Sequence, residues 1–451
     1  MEKLHNYLPV PKGAMILGEN QYYSQNCYET KLNNNVLVVG ASGAGKTRYV
    51  VKPNLLQACG SYVVSDPKGN LCREMGPYLK SKGYNVVKID FIHPEKSLKY
   101  NPIAYCKTTN DIRKLAHTLV YEMSRSENVR ATKDPFWDET TEILLCAVIG
   151  YMLETDELSP WEKNMVTLSE LIVEAKRDVK GRVGEHNVSR LDGRMERHKM
   201  SMRLKDKDSW AVARYEQYNT SPDKTHETIN ICTLAKLAAF DTLETREMLK
   251  GNDLDFTKIG KEPTALFVEV SDTDRSMDIL VNLFYSQLMN TLCSFADEKC
   301  RNSCLPVPVK FILDDFATNA RIDNFQNIIA NIRSRGISAM IMVQSEAQLR
   351  AGYGDNAQTI VDNCNTYVYM GGSNPEQADN IAKRANKPAN KILNMPLGMS
   401  WIFRRGQEPV LCNNFDLEWF QKEKKYVVPR MKKQPNVVIV LNKDEEKENV
   451  I

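Results

Sequence analysis

A glycine-rich stretch near the amino terminus carries the clearest chemistry in the sequence. Residues 40–47 read GASGAGKT, which fits the pattern G-x4-G-K-[ST]. Glycines let backbone N–H groups close around phosphate oxygens, the lysine reaches the outer phosphates, and the threonine hydroxyl binds Mg²⁺. The alternative is a glycine-rich turn that binds no nucleotide. The predicted nucleotide-binding residues here are Gly40, Ala41, Ser42, Gly43, Ala44, Gly45, Lys46, Thr47 and Arg48.

Two adjacent carboxylates follow the apolar run of residues 309–313. Ligands of open α/β sheets bind at the carboxyl ends of strands, so both acids are expected there. We predict that Asp314, with Thr47, holds the Mg²⁺ of a bound ATP and that Asp315 polarises an attacking water. Aspartate is shorter than the glutamate more often used for that task, so a turn-capping role for Asp315 stays open.

Three further residues are candidates for catalysis. Gln344 follows the apolar run 339–343, so it reaches the same predicted sheet edge and can hydrogen-bond a γ-phosphate or water. Arg333 and Arg335 lie just before that run. They could reach a neighbouring subunit's nucleotide and stabilise charge there, whereas most surface arginines have no catalytic task.

Apolar runs separated by helix-length segments position these residues. Such runs, buried on both faces, indicate an α/β fold with a mainly parallel sheet and helices on each side. The predicted nucleotide-binding domain comprises residues 1–109 and 256–420, and residues 110–255 form an inserted all-alpha domain. Residues 421–451 are predicted to be a charged, mobile tail. The predicted strands lie at 36–39, 62–65, 86–91, 265–270, 309–314, 339–343 and 366–370.

Composition is that of an ordinary soluble protein with reduced thiols. The chain has 451 residues, 42% of them hydrophobic, a net charge of +3 and 11 scattered cysteines. The longest apolar run, residues 143–153, is too short to cross a membrane, which needs about 20 residues. Residues 176–207 carry an excess of Lys and Arg, which suits nucleic acid or an acidic partner. The alternative is that these residues form a solvent-exposed helical face that binds nothing.

Five motifs in this order resemble the type IV secretion coupling proteins, the TraG/TraD family of conjugative DNA pumps. Besides GASGAGKT they are SDPKG (65–69), DPFWDE (134–139), FILDDFA (311–317) and VQSEAQL (343–349). The resemblance implies a RecA-like P-loop NTPase domain interrupted by an all-alpha domain, ATP and Mg²⁺ as cofactors, and assembly into a hexamer. It also implies delivery of relaxase-bound single-stranded DNA to a secretion channel.

The same resemblance implies roles for individual residues. Lys46 and Thr47 match the nucleotide motif, Asp314 the metal-binding acid, and Gln344 the glutamine that senses hydrolysis. Asp66 and Lys68 match the SDPKG element and are expected beside the phosphates, unless that element is only a strand-ending turn. In DPFWDE, Asp134 is expected to cap a helix that begins at Pro135. Its aromatic residues are expected to be core anchors.

The sequence departs from the family pattern in two ways. Members commonly have Asp-Glu where this chain has Asp314-Asp315. Most also begin with transmembrane helices, which we do not find here. Either the chain is a shortened soluble form, or it is a variant that docks onto a separate membrane partner or channel component. We expect it in the bacterial cytoplasm, peripheral to the inner face of the membrane. Two alternatives remain: a nucleotide-gated receptor for relaxase or effector proteins, and a DNA translocase of the FtsK kind.

Overall fold

A nine-stranded sheet forms the centre of the protein. The computed structural model describes residues 7–126, 135–179, 188–316 and 321–424. The sheet has the order β13-β12-β11-β3-β10-β9-β4-β8-β5. The strands are β1 (Met15–Gly18), β2 (Gln21–Tyr23), β3 (Val36–Val39), β4 (Ser61–Ser65), β5 (Asn85–Asp90), β6 (Arg177–Val179), β7 (Val188–Ser189), β8 (Thr264–Glu269), β9 (Val309–Leu313), β10 (Ile337–Val343), β11 (Thr366–Tyr369), β12 (Met399–Arg404) and β13 (Val410–Asn413).

The strands from β11 to β5 run parallel to one another. All the strands predicted from apolar runs are present, and β3, β4, β9 and β10 are buried along their whole length. The carboxyl ends of the parallel strands therefore share one edge of the sheet. Sequence analysis did not predict the antiparallel extension by β12 and β13, nor the separate β1–β2 pair.

Helices cover both faces of the sheet. Two buried apolar clusters lie on its two sides, one containing Leu37 and Phe311 and the other containing Val38 and Ile312, as the alternation of side chains along a strand requires. The helices are α1 (Cys27–Thr30), α2 (Lys52–Leu56), α3 (Asn70–Ser81), α4 (Thr109–Ser126), α5 (Pro135–Glu154), α6 (Met165–Glu174), α7 (Arg190–Leu204), α8 (Trp210–Tyr218), α9 (Asp223–Leu237), α10 (Leu243–Leu249), α11 (Phe256–Lys261), α12 (Asp278–Lys299), α13 (Phe325–Asn331), α14 (Glu346–Tyr353), α15 (Asn356–Asp362), α16 (Pro375–Ala385), α17 (Ala389–Leu393) and α18 (Leu417–Glu423).

The segment between β5 and β8 is mostly helical, as predicted, but it is not purely so. Strands β6 and β7 form a small antiparallel pair within it. Its apolar residues, such as Leu144 and Tyr151 of α5, belong to the same buried cluster as Phe311 of the sheet. Its treatment as a separate domain stays a prediction.

The DPFWDE motif lies at the start of α5. Asp134, the predicted cap, is outside the described residues, and Pro135 begins the helix as predicted. Trp137 packs against the core, whereas Phe136 is 41% exposed and lies edge-on to the Trp137 ring. Asp138 forms an ion pair of 3.0 Å with Lys236 of α9. The motif therefore fastens two helices of the insertion together.

Two sequence predictions need adjustment at other elements. Within the described residues, α12 has the length and mean hydropathy, 1.2, to cross a membrane, which the search for uninterrupted apolar runs did not find. That apolar window is 61% buried against the protein, as in a core helix. At the carboxyl terminus, α18 continues past the predicted domain boundary at residue 420, and residues 425–451 lie outside the described residues.

Candidate functional site

The glycine-rich loop connects β3 to the following helix at the carboxyl edge of the sheet. The Gly40 N–H donates to the carbonyl of Val343, and the Ala41 N–H donates to the carbonyl of Gly371. A Cβ on Gly40 would lie only 2.9 Å from the Cβ of Met370. The loop is therefore held between β10 and β11. Sequence analysis missed the contribution of Gly371, although two glycines directly after an apolar run were a readable signal.

Gly45 adopts a backbone that other residues rarely reach. Its φ is +86°, and a Cβ there would lie 2.4 Å from the ring of Tyr49. Ala44 and Gly45 are followed by a π-helical turn, Thr47–Val51, which leads into α2. Pro53 has no N–H to donate to the carbonyl of Tyr49, and the Lys52 N–H donates to the carbonyl of Thr47, five residues earlier, as in a π-helical turn.

Lys46 is buried within the loop. Its Nζ donates to the carbonyls of Gly40, at 2.7 Å, and Ala41, at 3.3 Å. Burial lowers the pKa of Lys46, while the nearby carboxylates of Asp315 and Asp314 act in the opposite direction. The ammonium is thus positioned by the loop's own carbonyls, in reach of both acids.

Thr47 and Asp314 meet although 267 residues separate them in sequence. The threonine hydroxyl donates to Oδ2 of Asp314 at 2.5 Å. Asp314 is only 5% exposed, and burial raises its pKa, opposed by the hydrogen bond from Thr47. A hydroxyl and a carboxylate in contact are hard oxygen ligands of the kind that Mg²⁺ uses beside phosphate oxygens and waters.

The remaining ligands of such an ion would have to come from the nucleotide and from water. Among the residues that the structure describes, no group of three or more His, Cys, Asp or Glu side chains could hold a metal by itself. That arrangement is typical of Mg²⁺ in nucleotide sites, where one or two protein groups suffice.

Asp315 follows Asp314 in a strained turn. Its φ is +48°, in the left-handed region that asparagine and aspartate tolerate better than most residues. Its N–H donates to Oδ1 of Asp314 at 3.1 Å. The Asp314 carboxylate is therefore held at both oxygens, by the Asp315 N–H at Oδ1 and by the Thr47 hydroxyl at Oδ2. The positive φ agrees with a role for Asp315 in forming the turn. Its predicted role in polarising water stays a prediction.

Gln344 lies beside the loop, directly after β10. Val39 and Val343 are partners in the parallel register, so Gln344 stands next to Gly40. Its N–H donates to Oε1 of Gln348, and Ser345 caps the helix α14 that follows. The structure therefore brings Gln344 to the edge that carries Lys46, as predicted.

The SDPKG element also lies at this edge, but its acid is engaged elsewhere. Ser65 donates to the carbonyl of Asp314 at 3.3 Å. The carboxylate of Asp66 accepts from the N–H of Cys72 at 2.9 Å, in the first turn of α3. Burial raises the pKa of Asp66, and N–H groups of that turn oppose the rise. This geometry agrees with the strand-ending turn, while Lys68 is exposed beside it.

Arg48 extends away from the loop. Its guanidinium pairs with Glu418 of α18 at 2.7 Å, and both side chains are exposed. The Arg48 side chain is therefore engaged with α18, and the prediction that Arg48 binds nucleotide stays open.

Arg333 and Arg335 lie at the other edge of the sheet. They precede β10, whose seven residues span about 20 Å before Gln344. Arg335 forms hydrogen bonds to both carboxylate oxygens of Asp297, at 2.8 to 3.1 Å, and Arg333 donates to the carbonyl of Cys27. Neither contacts the loop of its own chain. The prediction that one of them acts on a neighbouring nucleotide stays open.

Most of the sequence matches a known protein family. Residues 6–387 match the family described as type IV secretory system conjugative DNA transfer. The chain belongs to this family. That membership confirms the resemblance drawn from the five motifs. None of the curated proteins matches the chain by sequence.

Solved structures show the same fold in distant relatives. The conjugative coupling protein TrwBdeltaN70, in an unbound form, has a TM-score of 0.63 and 14% identity, covering 91% of this chain and 89% of that one. TrwB with the ATP analogue ADPNP has a TM-score of 0.59 and 14% identity, with 84% of each chain covered. VirB4 of Thermoanaerobacter pseudethanolicus has a TM-score of 0.55 and 12% identity, covering 91% and 99%. The fold is that of a RecA-like P-loop NTPase.

Three cations of the basic segment, residues 176–207, form ion pairs. Arg194 pairs with Glu174 at 2.6 Å, Arg197 with Glu157 at 3.1 Å, and Lys199 with Glu216 at 2.6 Å. Residues 180–187 of this segment lie outside the described residues. At these three positions the cations are therefore paired with carboxylates, and the excess of Lys and Arg in the sequence does not translate directly into an unpaired basic surface.

Proposed function

We propose that the chain is an Mg²⁺-dependent ATPase that drives single-stranded DNA into a type IV secretion channel. One observation carries the ATPase part: the hydroxyl of Thr47 lies 2.5 Å from the carboxylate of Asp314, next to the loop that holds Lys46. Membership of the conjugative DNA transfer family supports the DNA part. TrwB, which shares the fold, has been crystallised with ADPNP and with ADP and Mg²⁺.

The residues of the site divide the work in our proposal. Thr47 and Asp314 hold Mg²⁺, which neutralises negative charge on the phosphate oxygens when bound. Lys46 exchanges the carbonyls of its own loop for the outer phosphates of ATP. Asp315 accepts a hydrogen bond from the attacking water and orients it, and Gln344 contacts the γ-phosphate. Asp66 keeps α3 in place, with Lys68 beside it.

We further propose that the site is completed by a second copy of the chain. An arginine at the opposite sheet edge, Arg333 or Arg335, stabilises charge on a neighbour's nucleotide in a homo-oligomer, a hexamer in the active state. The chain then works at the cytoplasmic face of the membrane with relaxase and channel components. DNA contacts are mainly to phosphates, which makes binding sequence-tolerant and salt-dependent.

Nucleotide turnover with and without DNA tests this proposal. We expect phosphate release that single-stranded DNA accelerates, and that Lys46→Ala abolishes. Lys299→Ala, which removes an exposed lysine on α12, is the matched control and should turn over ATP like the natural chain. Turnover of Lys46→Ala equal to that of the control would disprove the assignment of the site.

A nucleotide-gated receptor for relaxase or effector proteins is the second candidate. The ion pairs of Arg194, Arg197 and Lys199 favour it, because cations that are paired with carboxylates are less available to DNA phosphates. A receptor would bind its partner with turnover indifferent to DNA. An FtsK-like translocase is less well supported, because the family match is to conjugative transfer.

A further inference from the structure

A cavity of about 420 Å³ lies at the amino-terminal edge of the sheet, opposite the nucleotide edge. It is formed where β9 and β10 begin, together with the segment before and within α1 and the turn before β4. Its walls are mainly apolar. The lining residues that matter here are Gln25, Cys27, Cys59, Lys310, Arg333 and Ile337.

Lys310 is a charged residue at a position where the strand demands an apolar one. It is the second residue of β9, between Tyr62 and Ser338 on the neighbouring strands, and it shares a sheet face with Ile312. It is only 7% exposed. Its ammonium donates to Oε1 of Gln25, and within the described parts of the chain no carboxylate lies within ion-pair distance of it. A buried cation without a counter-ion is costly, so an anion that reaches it is strongly favoured.

Hydrogen bonds hold the polar groups around Lys310 in fixed positions. The amide of Gln25 is fixed by its own donation to the carbonyl of Gly13 at 2.6 Å, which turns the amide oxygen toward the lysine. Burial lowers the pKa of Lys310 to about 8, while the thiols of Cys59 and Cys27 oppose the shift. A second cation, Arg333, lines the cavity and donates a hydrogen bond to the carbonyl of Cys27.

We propose that this cavity binds a small organic carboxylate with an apolar body. The carboxylate pairs with Lys310, and the apolar body packs against the wall at Ile337. Volume and lining fit a compact ligand, since small-molecule sites are mostly apolar with a few placed polar groups. The proposal does not depend on nucleotide chemistry.

Isothermal titration with a matched pair of probes tests the charge requirement. The probes are a short series of carboxylates (benzoate, phenylacetate and 3-phenylpropionate) and the neutral amide of each. We expect at least one acid to bind, about tenfold or more tightly than its amide. If every acid fails to bind, or acid and amide bind equally, the proposal is wrong.

A lysine variant and a thiol readout locate the binding. Lys310→Met should remove the preference for the acid and keep or raise Tm, because it replaces an unpaired buried charge by an apolar side chain. Lys299→Met, on the exposed side of α12, should keep the preference. In the natural chain the bound acid should slow alkylation of the exposed Cys59, which lines the cavity. Acid preference that survives Lys310→Met, or alkylation unchanged at saturating acid, would place the binding elsewhere.

Discussion

Asp315 offers the sharpest test of how the proposed ATPase activates water. The change is Asp315→Asn, which removes the charge and proton-accepting power but keeps the size of the side chain. It also keeps the backbone, because asparagine tolerates the left-handed conformation, φ +48°, that this turn requires. Any loss of turnover can then be assigned to chemistry rather than to a collapsed turn.

The size of the effect follows from the proposed role. A positioned proton acceptor contributes about 10² to 10⁴ in rate, which corresponds to about 3 to 5 kcal/mol of activation free energy. Asp315 also acts electrostatically on Lys46, in the direction that stabilises its charge. Removing that carboxylate leaves Lys46 freer to pair with phosphate, so we expect nucleotide affinity to hold or rise while kcat falls at least 100-fold.

Phosphate-release kinetics and nucleotide titration, measured on the same preparations, separate these effects. The matched control is Asp206→Asn, an exposed aspartate of the insertion that also has a left-handed backbone, with φ +51°. It should leave both quantities unchanged. A kcat for Asp315→Asn within about threefold of the natural chain would refute the reasoning, and Asp315 would then be a turn residue only.

Two further variants address the loop and the insertion. Gly45→Ala should abolish nucleotide binding, measured by titration of a fluorescent analogue, because its Cβ would enter an aromatic ring at 2.4 Å. Gly398→Ala, with a similar φ of +85° but open space around it, controls for backbone strain and should bind normally; equal binding by both variants would contradict the steric argument. Lys236→Met should lower the free energy of unfolding by about 3 kcal/mol, since it removes the largely buried ion pair between Lys236 and Asp138. Chemical denaturation measures this loss, and an unchanged midpoint would show that the pair does not stabilise the insertion.

The sequence was sufficient for features that depend on local pattern. Continuous apolar runs identified the buried parallel strands, and the rule that their carboxyl ends share an edge predicted that Asp314 and Thr47 would lie close together. Asp314 directly follows β9, and Thr47 follows β3 through the glycine-rich loop, so strand geometry brings both to the same edge. The hydrogen bond between them is the outcome.

Features that depend on contacts between residues far apart in sequence could not be predicted from the sequence. The charge count for residues 176–207 could not show that Glu157 and Glu216, outside that segment, neutralise Arg197 and Lys199. The β12–β13 extension depends on pairing with β11, and its partly exposed pattern is weaker than a fully buried run. Helix α12 was overlooked because polar residues interrupt its apolar runs, although its buried face belongs to the core.

The separation of Gly45 and Arg333 on opposite edges of one parallel sheet restricts how copies of the chain can assemble. Two closed arrangements bring such an arginine to every site. One is a twofold dimer whose sheets lie antiparallel, so that each copy completes the site of the other, and the second is a ring of head-to-tail contacts. Repeated head-to-tail contacts either close into a ring or continue as a helix. In any open chain of subunits, one terminal site would lack its arginine, and only closure would complete them all.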